Sequence, residues 1–280
     1  MDLNTLLMTL ILGGVVGFSL GLTGGGGAIF AVPMLVYGLG VPAKESVGIS
    51  LLTVACTAGI GFVQRARMKR VDFPIGMVFA VAGMLGAPVG SRLASTLPDT
   101  LLMVLFAGLM VMIAIRMWWK AHDRVGSIRF VDAENPIETN AGAVCKLDSN
   151  QRLRLNSRCG LLLAAVGVGA GVLSGMFGVG GGFIIVPALV AFASMEIQTA
   201  IGTSLLVITM VSFTGTASHV LAGKDLSVET SILFTSGSIA GLFLGSGLSQ
   251  RLAGPTLQRV FALAILLVAA YVLVRTAVLS

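Results

Sequence analysis

The chain has 280 residues, 56% hydrophobic and only 11% charged, with a mean hydropathy of +0.98. Soluble domains carry about 25% charged residues, so most of this chain must lie where charge is costly, and a soluble globular fold is excluded. The net charge of +6 does not point to nucleic acid, because the bases cluster beside apolar runs and no aromatic residues interleave with them to stack on bases.

In chain order, the start Met1-Asp2-Leu3-Asn4 lacks the basic region of a cleaved signal peptide, so the first apolar run reads as a retained helix, about 3–22. Leu3 to Ala43 holds no Asp, Glu, Lys or Arg, more than the roughly 20 apolar residues that cross a bilayer once. A glycine-rich break and a short apolar piece, 24–39, come next. Three further helices are predicted at about 46–63, 73–91 and 100–119, followed by one long polar loop, 120–157. The second half repeats the order: a helix from near Cys159, a break at 178–182, a short piece at 183–193, then helices at about 199–221, 227–248 and 256–274. The expected fold is an all-α integral membrane protein of about eight crossings. The expected organisation is a first transmembrane repeat at 1–119, a cytoplasmic linker at 120–157 and a second repeat at 158–280.

The short pieces, each holding a proline (Pro33 or Pro187) after a glycine run, are too brief to cross as straight helices. They read as broken or re-entrant segments whose backbone must be satisfied by protein or a water cavity. Eight crossings with a cytoplasmic N-terminus put Arg65, Arg67, Lys69, Arg70, the eight bases from Arg116 to Arg158, Lys224 and Arg275 inside. That leaves Lys44, Arg92, Arg251 and Arg259 outside, in line with the positive-inside bias. If the short pieces cross fully, the N-terminus moves outside.

The halves align at one constant offset of 154 residues. Gly17, Gly21, Gly24, Gly26, Gly27 and Pro33 fall on Gly171, Gly175, Gly178, Gly180, Gly181 and Pro187, and Ser50-Leu51-Leu52 falls on Ser204-Leu205-Leu206. Equal numbers of crossings per half, with the equivalent turns 64–70 and 219–225 on one side, predict parallel repeats.

The stripes Gly13, Gly17, Gly21, Gly25 and Gly167, Gly171, Gly175 place small residues on one helix face, the pattern of close helix packing. The clusters at Gly24, Gly25, Gly26, Gly27 and at Gly178, Gly180, Gly181, Gly182 are different, since clustered glycine weakens a helix. There they expose backbone N–H groups, and the helix that follows aims its positive end at the gap, a natural seat for an anion. Neither run continues into Lys-Ser or Lys-Thr, so a phosphate loop is excluded, and no βαβ unit surrounds them. Cys56, Cys145 and Cys159 form no CxxC pair or metal spacing, so no metal or cofactor is expected, and no acid lies mid-span to serve as a proton relay.

These segments, with Pro33-Met34-Leu35, Pro187-Ala188-Leu189, Gly48-Ile49-Ser50 and Gly202-Thr203-Ser204, resemble the TauE/SafE family of sulfite and organosulfonate exporters over nearly the whole chain. The resemblance implies transport of a small sulfur-containing anion across a bacterial inner membrane, with the lipid bilayer as the other partner and homo-oligomers permitted. Within it, Ser50 and Ser204 are the hydroxyls at matched positions and are expected to donate to the substrate. Arg65 and His219, at inner ends of matched helices, and Arg92 and Arg251, at helix ends, could attract the anion electrostatically, although helix-end arginines more often snorkel to headgroups. An anion channel is the alternative reading; a membrane enzyme would need catalytic groups mid-span, and none is found.

Overall fold

A computed structural model describes residues 3–126, 157–192, 195, 197–222, 227–249, 263–272 and 274–275. All regular structure among them is helical: α1 (Leu3–Thr23), a 3-10 turn (Gly26–Phe30), α2 (Ala31–Pro33), a π-turn (Met34–Gly38), α3 (Ala43–Arg67), α4 (Phe73–Thr96), α5 (Asp99–Gly126), α6 (Ser157–Phe177), α7 (Gly182–Phe192), α8 (Ile197–Leu221) and α9 (Val228–Ser249). A further helix, α10, covers Leu263–Val272. Among the described residues six helices are long and apolar enough to cross a membrane, so the protein is a multi-pass membrane protein.

Local chemistry fixes the boundaries. Asp72 caps α4 by accepting from the Ile75 N–H at 3.2 Å, and Pro74 sits in the first turn where its missing N–H costs nothing. The segment predicted as loop from Lys120 stays helical to Gly126, because no proline or glycine interrupts Lys120-Ala121-His122-Asp123-Arg124-Val125. The last span, predicted from 256, is described only from Leu263; the remainder of the central loop lies outside the described residues.

Large apolar side chains face both ways, as they do where the solvent is lipid. Leu20, Ile29, Leu51 and Phe79 are fully buried, while Ile11, Leu85, Val89 and Leu244 are exposed on the outer surface. Cys56 lies exposed on α3.

The glycine stripes pack helices backbone to backbone. A Cβ on Gly13, Gly17 or Gly241 would collide with the carbonyls of Phe234, Ser238 and Gly14, seating α1 along α9 in parallel. Gly90, Gly171 and Gly175 do the same for α4 and α6, against Val172, Gly83 and Ala87. Close-packing small residues stabilise membrane helix pairs where no hydrophobic drive exists.

Helix directions overturn the predicted topology. Glu45 accepts from the Ser227 N–H, Thr53 bonds Thr235, and Thr57 bonds Ser238, so α3 runs parallel to α9 and hence to α1. The chain therefore returns between α1 and α3: Gly27 lies against Leu20 and Gly38 against Leu12 as the short segment descends beside α1. As a result, α1 starts at the end opposite the 68–72 turn, not beside it as eight crossings with a cytoplasmic N-terminus required.

The expected parallel relation of the halves fails as well. Arg65 at the end of α3 meets Gln198 at the start of α8, and Leu51 meets Gly215, so these matched helices are antiparallel. Arg65 and His219, expected at one face, lie at opposite ends. A membrane-impermeant thiol reagent is thus expected to label Leu3→Cys and the native Cys145 from opposite faces, each in a background with the other cysteines replaced by alanine. Labelling of both from one face would contradict this arrangement.

Candidate functional site

The two glycine breaks meet in the middle of the molecule. A Cβ on Gly25 would stand 2.8 Å from Gly182 Cα, and one on Gly182 would stand 2.6 Å from Gly25 Cα. Both would also press on the Ile208 side chain, at 2.7 and 2.5 Å, near the midpoint of α8. Only glycine allows this approach. The sequence breaks here because the chain turns through left-handed backbone, with φ of +70° at Gly24 and +71° at Gly178, and such angles oppose any side chain.

The breaks are held by reciprocal contacts that obey the 154-residue offset. Ser50 Oγ donates to the Gly178 carbonyl at 2.5 Å, and Ser204 Oγ donates to the Gly24 carbonyl at 2.8 Å. Gly24 abuts the Ile201 side chain, and Gly178 abuts Val47. Each break is thus clamped by the helix of the other half. All of the predicted glycines are buried except Gly26, which is half-buried.

Ser50 and Ser204, expected to donate to the substrate, have their protons taken by carbonyls of the breaks and position them. The single Ser204 proton is shared between the Gly24 carbonyl and Ile201 O, also at 2.8 Å. We expect Ser50→Ala to destabilise the protein by about 0.5–2 kcal/mol, because the Gly178 carbonyl loses its partner. Ser50→Thr should restore most of that. Thermal unfolding in detergent measures both, and an unchanged midpoint for Ser50→Ala would refute the clamp.

Local contacts fix the backbone on each side of the junction. Thr23 Oγ1 accepts from the Gly27 N–H at 3.2 Å and donates to Ser19 O, capping the 3-10 turn. On the other side, α7 begins at Gly182 with its positive end at the junction. Thr53 with Thr235 (2.9 Å) and Thr57 with Ser238 (3.0 Å) line the α3–α9 contact. At the matched α8 positions stand Val207 and Val211, so this polar seam exists on one side only. Sequence inspection had no signal for these pairings, which link residues about 180 apart.

The basic candidates are peripheral. Arg65, 8% exposed, donates to Gln198 Oε1 at 2.9 Å. His219 is buried at the opposite end. Arg92 is exposed and lines a cavity of about 440 Å³ with Ser91, Ser95, Thr214 and Ser218, between the C-terminal ends of α4 and α8. Arg251 lies outside the described residues. Among the described residues no group of His, Cys, Asp and Glu could hold a metal.

Comparison with known proteins gives one consistent result. The family described as Sulfite exporter TauE/SafE matches residues 9–272. A "Probable membrane transporter protein" of Xylella fastidiosa (strain 9a5c) is 32% identical over 99% of this chain and 98% of its own length. "Probable membrane transporter protein YunE" of Bacillus subtilis is 24% identical over 92% of each chain. A third relative, from Haemophilus influenzae, carries the same transporter description and is 28% identical over 94% of this chain. No solved structure matches the chain significantly.

Proposed function

The chain belongs to the TauE/SafE sulfite exporter family of membrane transporters, which are not enzymes, and from that premise we propose that it is a secondary transporter exporting a small sulfur-containing anion across the cytoplasmic membrane. Sulfite, sulfoacetate and related organosulfonates are the substrate class. The observation that carries this reading is the meeting of the two broken segments at Gly25 and Gly182, deep between the halves. Broken helices that meet between the halves, with the N-terminal end of α7 at the junction, suit an anionic group.

The halves, 1–119 and 158–280, act in this account as inverted repeats, which their antiparallel matched helices favour. Rocking of one half against the other would expose the junction alternately to each face. The basic stretch 116–158 lies on the cytoplasmic side, which places the N-terminus outside. Arg92 at the outer mouth and Arg65 at the inner one then attract the anion without occupying its seat.

Re-entrant backbone also occurs in channels. Counterflow separates the two: proteoliposomes preloaded with unlabelled sulfite should accumulate labelled sulfite transiently and saturably. Flux that rises linearly with concentration and shows no counterflow would replace the carrier with a channel.

A further inference from the structure

The two breaks are not chemically equal. We infer that the second break, not the first, holds the oxyanion of the substrate, through the hydroxyls of Ser174 and Ser212; this rests on the transport reading above and names the donors within its site. Both side chains are fully buried, and neither hydroxyl has a hydrogen-bond partner. A buried hydroxyl left unpaired is destabilising, and a fold keeps one only where something else is gained.

The Ser212 hydroxyl addresses the loop of the break, and Ser174 stands on the helix that leads into it. Ser212 Oγ stands 3.1 Å from where a Cβ on Gly180 would be, so it faces the bare backbone of the break. Ser174 lies one turn before the break, and its carbonyl accepts from the Gly178 N–H at 2.8 Å. Gly181 folds back onto Ala170, and Ala170 and Ser174, four residues apart, share that face of α6. The N-terminal end of the eleven-residue α7 opens at Gly182 beside them.

At the offset of 154 the first half has Leu20 and Ala58 at these positions. The first break therefore lacks hydroxyls at these two positions, and the hydroxyl of its neighbour Thr23 is already spent on Ser19 O. A hydroxyl offers one proton to an oxyanion, and α7 supplies partial positive charge. No cation takes part, so the ligand class is a small anion that accepts several hydrogen bonds, as a sulfonate or sulfite does.

The test is isothermal titration of sulfite and sulfoacetate, with acetate as comparison, into the purified full-length protein, alongside thermal unfolding without ligand. Ser174→Ala and Ser212→Ala should each weaken sulfite or sulfoacetate binding by about 5- to 10-fold. Their unfolding midpoints should stay equal or rise, because each change removes an unpaired buried hydroxyl. Ala58→Ser should leave affinity unchanged. Wild-type binding that both alanine variants reproduce would overturn this site alone, as would weakened binding matched by a lower midpoint. Wild-type protein that binds none of the three anions would overturn the substrate reading and the site together.

Discussion

Gly180→Val is expected to abolish transport, by at least about 100-fold, while the protein still inserts in the membrane. The backbone there has φ +69°, where a Cβ is strained, and the added carbon would stand 2.8 Å from Val54, 2.9 Å from Ile208 and 3.1 Å from Ser212 Oγ. Left-handed backbone costs an ordinary residue about 1–2 kcal/mol and a β-branched one more. Overpacking adds about 1–3 kcal/mol. Relief requires the Val54 and Ile208 side chains to give way or the loop to move from α3 and α8, and movement of the loop displaces the junction with Gly25. A shift of about 1 Å at a binding centre is enough to cost about 100-fold. Membrane-fraction abundance and initial flux in proteoliposomes are the two readouts. Wild-type flux would remove the second break from the transport path.

Gly17→Leu should act differently, through assembly. A Cβ there would overlap the Ser238 carbonyl, with Ser238 Cα 2.7 Å away. These are backbone atoms that no rotamer change can move, so α1 and α9 must separate along their length. Separation also breaks the neighbouring contacts at Gly13 and Gly21 and disturbs Ser238, the acceptor for Thr57. The loss is expected to exceed about 4 kcal/mol, the range reserved for gross core disruption. The variant should fail to accumulate, whereas Leu244→Ala on the exposed face should accumulate normally. Gly171→Leu, which meets Gly83 from α6, should fail in the same way. Normal abundance of either glycine variant, by quantitative immunoblot of membranes, would contradict the packing described.

The sequence is informative where physics is local. Apolar length located the long helices. The four-residue glycine stripes announced close packing, and the breaks were visible because clustered glycines have no place in a helix. Crossing number was not legible. Making the short segments into crossings exchanges Lys224 and Arg275 for Arg251 and Arg259 on the basic side, so the charge balance is the same for either topology. Direction of the halves followed the same ambiguity, and contacts such as Arg65 with Gln198 were needed to set it.

At the candidate site, the matched Ser50 and Ser204 were legible because they obey the repeat. Ser174 was not, because it departs from the repeat. Its importance lies in an absence of partners that only packing reveals. Sequence pattern finds what the halves share, while the chemistry that favours one half appears as exceptions to the pattern.

Flux through purified protein tests the central claim most directly. Proteoliposomes would be loaded in turn with sulfite, sulfoacetate, sulfate, acetate and an organic cation, and protein-dependent efflux followed against protein-free vesicles. The junction of glycine backbone and hydroxyls, without a mid-span acid, disfavours a cation by the several kcal/mol needed to bury one unpaired. Saturable efflux of sulfite or sulfoacetate, and none of the cation, is the expected result. Protein-dependent transport of the cation, with no flux of either sulfur oxyanion, would contradict it.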